Sequence, residues 1–209
     1  MEYLIVTPVA SIIFAITLIT SLYAFYNQNV LGKMMLHPYS VSRGQGLFTL
    51  ITSGLVHRDT MHLLFNMMSY YFFAFQLEQV IGHWQFGLLY VVSLVLSDMP
   101  SVLKNRDNYN YYSLGASGAI SAVIFGAILY FPLAKMGLIF LPILIPAYVF
   151  GILYLVYCTY ASKYSRDSIN HDAHLYGALS GLMITILLNP PVLPAFIQQI
   201  SGAIQSMLH

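Results

Sequence analysis

The 209-residue chain is 58% hydrophobic but only 7% charged, with eight Lys and Arg against seven Asp and Glu. A soluble domain carries roughly 25% charged residues, so so few charges cannot clothe a water-exposed surface of this size, and the composition indicates one membrane domain. A net charge of +1 says nothing about nucleic acid, and no basic run points to such a partner, so none is expected; the single cysteine, Cys158, excludes an internal disulfide and a thiolate metal cluster and reads as a small buried filler.

The first apolar run, Leu4–Phe25, lacks a basic leader and exceeds the apolar core of a signal peptide, so it predicts a first membrane helix. Further runs follow at Met61–Ile81, Trp84–Leu103, Leu114–Phe131, Leu138–Tyr160 and Ala173–Leu188. They are long and show no period-2 alternation, which selects helices over barrel strands. The fold class is therefore an all-α membrane protein, a six-transmembrane-helix bundle over residues 1–189. A short tail, 190–209, opens with Pro190-Pro191 and is expected to lie on the surface or fray. No internal repeat is evident, which counts against a transporter built from inverted halves.

The connection from Asn27 to Thr60 is the longest and mixes Leu47, Phe48, Leu50, Ile51 and Leu55 with polar residues. Its apolar content predicts a partly embedded, functional loop. Lys33, Arg43, Arg58, Lys104, Arg106, Lys163 and Arg166 fall in loops one, three and five, and only Lys135 on the other side. By the positive-inside rule the odd loops face the cytoplasm and the N-terminus lies outside.

Ionisable groups within membrane helices are costly and point to function. Helix two carries His62 and Asn66 on one face, with His57 just before it; helix four opens with Gly115-Ala116-Ser117-Gly118, and helix six with His171-Asp172-Ala173-His174. Helices two, four and six run in the same direction. His62, Ser117 and His174 each fall in the first turn or two, and so share one side and one depth. Gly118, Ala122 and Gly126 on helix four, and Ala173, Gly177 and Gly181 on helix six, form small-residue stripes that let backbones approach.

Alone, each feature has a plain structural reading: a packing motif, a satisfied histidine, a polar clasp between helices. Together they are a set for acyl transfer. His174 can take the proton of Ser117 and return it to a leaving amine. His62, Asn66 and the Ser117 N–H can hold an oxyanion, each strong donor worth roughly 3–4 kcal/mol. Asp172, two residues from His174, faces away, so a dyad is the reading. Glu78, near the end of helix two, reads as structural. The many Tyr and Phe residues imply no cofactor.

These residues resemble the rhomboid family of intramembrane serine proteases. Gly115-Ala116-Ser117-Gly118 is similar to its nucleophile motif, and Ala173-His174-Leu175 with Gly177 to its base motif. His57, His62-Leu63-Leu64-Phe65-Asn66, Glu78 and Gly82 resemble its second-helix signature. The resemblance spans roughly residues 45–185. It implies a Ser117–His174 dyad and an oxyanion site from Ser117, His62 and Asn66. His57, Glu78, Gly115, Gly118 and Gly177 take supporting roles, and the first loop becomes a half-submerged hairpin. It implies hydrolysis of single-span membrane substrates in the lipid bilayer of the cell membrane, with no metal or cofactor. It also implies a cytoplasmic N-terminus, the reverse of what the cation count gives.

Two positions depart from the family's pattern. Many relatives carry Trp-Arg where this chain has Gly44-Gln45. Many carry an aromatic residue at the position of Ser121, packed on the base; Tyr176 is the candidate to supply that ring. One alternative reading is a non-catalytic rhomboid-like protein that binds membrane helices. Another is a metal protein or transporter using His57, His62, His171 and His174, although the His-Glu-x-x-His arrangement of membrane metalloproteases is absent.

Overall fold

The structure, a computed structural model, describes residues 2–137, 143–167 and 169–208. Six long helices form its body: α2 (Pro8–Tyr26), α6 (Thr60–Ile81), α7 (His83–Lys104), α8 (Ser117–Tyr130), α9 (Ala147–Tyr164) and α10 (His171–Leu188). A short α1 (Glu2–Val6) precedes them. Between α2 and α6 lie α3 (Gln28–Met34), α4 (Pro38–Val41), α5 (Thr49–Thr52) and a 3-10 turn at Ser53–Leu55. Last comes α11 (Val192–Leu208).

Breaker residues account for the boundaries that differ from expectation. The first run is divided at Thr7, extended at φ −138°, because the proline after it disfavours a helical residue there. The fourth run loses Leu114, Gly115 and Ala116 to a loop, since Gly115 sits at φ +118°, a conformation that breaks a helix. Expected helix five covered Leu138–Tyr160. Residues 138–142 lie outside the described residues, and the helix begins only at Ala147. Before it, β2 (Ile145–Pro146) pairs antiparallel with β1 (Lys135–Met136). The tail is helical: α11 turns away from α10 by 109°.

Among the described residues, α2 and α7 are long and apolar enough to cross a membrane on length and composition alone. The central helix α8 has 14 residues and so extends only ~21 Å, short of the ~30 Å hydrocarbon core. It is enclosed by protein, with Gly118 through Val123 all buried. The core gathers around it: Leu63, Met67 and Tyr70 of α6, Phe86, Leu89 and Leu94 of α7, and Ile184 of α10.

Helices α8 and α10 meet backbone to backbone. A Cβ added to Gly177 would overlap the Gly118 carbonyl, and one added to Gly181 would overlap that of Ala122. At the opposite end from Ser117, the fully buried carboxylate of Glu78 accepts the N–H groups of Val9 (3.1 Å) and Ala10 (2.6 Å). It also pairs with His83 Nδ1 at 2.7 Å. Glu78 thus caps the free N-terminus of α2 and ties it to α6 and α7. Glu78→Ala strands one buried and one half-buried donor, a cost of about 3 kcal/mol. The expected result is a thermal midpoint in detergent lowered by roughly 6–12 °C, with Glu78→Gln falling between wild type and alanine.

The first loop packs Leu36 and Val41 with Leu50 against Met99 and Val102 of α7, while Leu47 and Phe48 stand 55% and 62% exposed at its tip. Arg43 anchors it. Its Nη1 donates to the carbonyls of Tyr39 (2.9 Å) and Arg106 (2.7 Å), and its guanidinium lies 3.7 Å over the Tyr39 ring. The residue beside Gly44-Gln45 therefore joins the hairpin to the loop after α7.

Candidate active site

The segment that delivers Ser117 is held from below by loop one. The Gly115 N–H donates to the Ser53 carbonyl at 2.9 Å. The Ala116 N–H faces His57 Nε2 at 3.5 Å. The Ser21 hydroxyl donates to the Leu55 carbonyl (2.9 Å), so its oxygen must accept from His57 Nδ1 (2.9 Å). That leaves Nε2 of His57 as the acceptor for Ala116. His57 is fully buried, and burial pushes its pKa down to about 3, which keeps this tautomer neutral. His57 is thus a positioning residue for the serine loop.

His62 and Asn66 converge above the same loop. Asp59 caps α6 by accepting the His62 N–H at 2.8 Å, a bond that holds the Asp59 carboxyl below its usual range. One turn on, a Cβ placed on Gly115 would lie 2.9 Å from His62 Nε2 and 3.8 Å from Asn66 Nδ2. Only glycine leaves room for both side chains over the residue two before Ser117. Asn66 is buried, and its Nδ2 has no hydrogen-bond partner. A buried amide donor left unpaired costs about 1–3 kcal/mol. Such a donor is poised for an oxygen that arrives with a ligand.

The packing of α10 on α8 sets the residue before His174 against the residue after Ser117. A Cβ on Gly118 would meet the Ala173 carbonyl at 3.3 Å as well as Ser97 of α7. Asn170 sets the start of α10: its Oδ1 accepts the Ala173 N–H at 3.1 Å, and its Nδ2 donates to Ser101 Oγ (2.8 Å) and Ser113 Oγ (3.3 Å). Lys104 adds an ion pair to Asp172 at 2.7 Å. Asp172 is therefore occupied in joining α7 to α10.

The ring over His174 is not that of Tyr176, which is 46% exposed and lines a groove of about 490 Å³ with Leu96, Met99 and Met183. Tyr154 of α9 stacks on the imidazole instead, at 6.4 Å between centroids and 20° between planes. Its hydroxyl is 2.8 Å from Ser121 Oγ. Ser121, on α8 just past Ser117, thereby fixes an aromatic ring that arrives from another helix. Sequence reading missed Tyr154, since nothing in a Tyr-rich run marks one ring from the next. It also missed Asp98, a buried carboxylate within α7 that accepts from Ser53 Oγ at 3.4 Å. A lone acid in an apolar run was the available signal.

The arrangement offers a serine at a helix start, an imidazole on the adjoining helix and a pair of side-chain donors over the serine loop. These are the parts of a site that attacks a carbonyl and holds the resulting oxyanion. A family model described as Rhomboid domain matches residues 44–191. The protein named Putative rhomboid protease YdcA from Bacillus subtilis (strain 168) is 32% identical over 141 residues, 66% of this chain and 65% of its own. Presenilin-associated rhomboid-like protein A, mitochondrial, of Danio rerio is 30% identical over 135 residues, 64% of this chain and 35% of its own. RHOMBOID-like protein 1 of Arabidopsis thaliana is 38% identical over 97 residues, 46% of this chain and 22% of its own. In each case the chain spans less than two thirds of the relative's length.

Proposed function

The chain belongs to the rhomboid family of multi-pass membrane proteins, and on that premise we propose that it is an intramembrane serine endopeptidase working through a Ser117–His174 dyad. The six long helices would form a bundle embedded in the cell membrane, with α8 enclosed at its centre and too short to cross by itself, and the substrates would be membrane proteins cut in or near a transmembrane segment. The observation that carries the reading is the unpartnered buried Nδ2 of Asn66, next to His62 Nε2 and over the loop of Ser117. A protein that only gripped helices would have no use for a polar donor kept unsatisfied at that point.

In this mechanism His174 removes the Ser117 proton as the hydroxyl oxygen attacks the scissile carbonyl. The carbonyl oxygen becomes an oxyanion held by His62, Asn66 and the Ser117 N–H. His174 then protonates the leaving amine, and water, activated by the same imidazole, releases the acyl-enzyme. Because α8 is short and sunk within the bundle, the chemistry occurs below the membrane surface, where low dielectric strengthens each of these donors.

Labelling of the detergent-purified chain with a fluorophosphonate tests the reading. Wild type is expected to label on one serine, with labelling lost in both Ser117→Ala and His174→Ala. A folded wild type that stays unlabelled by this and a second serine-reactive chemotype would favour a non-catalytic helix binder. The stacked Tyr154 gives a smaller, graded prediction. An aromatic contact contributes about 1 kcal/mol, so Tyr154→Leu should lower kcat by roughly five- to tenfold at unchanged KM. Tyr154→Phe, which keeps the ring, should restore most of that loss.

A further inference from the structure

Beside the dyad, on its α9 side, three metal-ligating side chains meet. Cys158 of α9 and His171 and His174 of α10 each offer a donor atom, and these atoms lie within 4.8 Å of one another. Cys158 is fully buried and His171 is 4% exposed. His171 Nε2 sits 3.1 Å from both carboxylate oxygens of Asp167, so it carries the proton and donates. Its Nδ1 is then a bare lone pair, buried and without a hydrogen-bond partner. A carboxylate that orients an imidazole through one nitrogen and leaves the other free is the usual support of a metal-ligating histidine.

We propose that Cys158, His171 and His174 form an inhibitory site for Zn²⁺ that takes the general base out of service. One thiolate and two imidazoles suit a borderline-soft divalent ion, and three protein ligands leave the fourth position to water. Bonds of roughly 2.0–2.3 Å would hold one sulfur and two nitrogens about 3.3–3.6 Å apart, so small side-chain rotations close the site. Asp167 is exposed on the polar loop between α9 and α10, which puts aqueous ions within reach. On binding, the Cys158 thiol gives its proton to solvent and the sulfur lone pair goes to the metal.

Inhibition follows whichever ring nitrogen of His174 is taken. With the metal on the nitrogen facing Ser117, no lone pair remains to receive the hydroxyl proton. With the metal on the other, the nitrogen facing Ser117 carries the ring proton and cannot accept a second without charging a metal-bound ring. The inhibitory consequence rests on the protease reading; the binding site does not.

The test is a titration of the detergent-purified full chain with Co²⁺ as a spectroscopic substitute, followed by displacement with Zn²⁺. Wild type and Ser117→Ala should both show a thiolate-to-cobalt charge-transfer band with the visible bands of a tetrahedral ion. Cys158→Ala should lose the charge-transfer band, and His171→Gln should weaken binding at least tenfold. In parallel, Zn²⁺ should block fluorophosphonate labelling of wild type, with at least tenfold more Zn²⁺ needed for Cys158→Ala or His171→Gln. Absent cobalt bands, or bands unchanged in both variants, overturn the site. Cobalt bound through Cys158 with labelling indifferent to Zn²⁺ overturns the inhibition. Cobalt bound through Cys158 in a wild type that never labels supports the site and removes the protease reading instead.

Discussion

Ser117→Ala and His174→Ala are each expected to reduce cleavage of a transmembrane substrate by about 10⁴-fold or more, while leaving the detergent melting midpoint unchanged. Among the described residues neither side chain makes a hydrogen bond whose loss would strand a buried group, and nucleophile and base act as one unit, so removing either removes the whole attack. Asn66→Leu separates oxyanion binding from that unit. Removing one strong donor should cost about 10²–10³-fold in kcat with little change in KM. The same substitution deletes a buried amide nitrogen that has no partner, so the melting midpoint should hold or rise. A residue kept for structure alone would show the opposite pairing, with unchanged kcat and a lowered midpoint. That outcome would sink the role given to Asn66.

Gly177→Val is expected to damage fold and catalysis together. Any Cβ at this position collides with the Gly118 carbonyl, and backbone cannot swing aside as a side-chain tip can. The α8 and α10 helices would have to part by an ångström or more, at a cost of about 3 kcal/mol. The displacement carries His174 away from Ser117. A 1 Å misplacement at a reacting centre costs on the order of 10²-fold in rate, in addition to the loss of folded protein. A control is Gly202→Val, where a Cβ meets nothing within 4 Å; it should leave both readouts near wild type. Equal activity per folded molecule in Gly177→Val would show that the α8–α10 contact does not set the dyad.

The lysines and arginines carry a lesson about topology. Counted along the sequence, they crowd the odd loops and give an orientation opposite to that implied by the family. Among the described residues four of them have acidic partners: Arg43 and Arg106 with Asp107, Arg58 with Asp59, and Lys104 with Asp172. Lys104 also ties α7 to α10, the helix that carries His174. Cations placed to hold the site end of the bundle together need not report which side of the membrane that end faces.

The sequence by itself determined the membrane class and most of the helical runs, and it led to the expectation of a shared depth for His62, Ser117 and His174, because hydropathy, chain direction and helical period are local properties. The Gly177 and Gly181 stripe was legible too, since close packing in lipid selects small residues at a fixed spacing. The partners of those residues were decided only by the tertiary structure. Tyr154 rather than Tyr176 covers His174 because α9 packs beside α8 and presents its hydroxyl to Ser121, a contact between positions 33 residues apart. Arg43 anchors the first loop because the fold brings the Arg106 carbonyl, 63 residues along the chain, to 2.7 Å from its Nη1. Cys158, ordinary in its own helix, becomes a neighbour of the base only when α9 and α10 dock, whereas His171 already lies one turn from His174 on α10. Periodicity reports which face of a helix is used, and the packing of distant helices decides what that face meets.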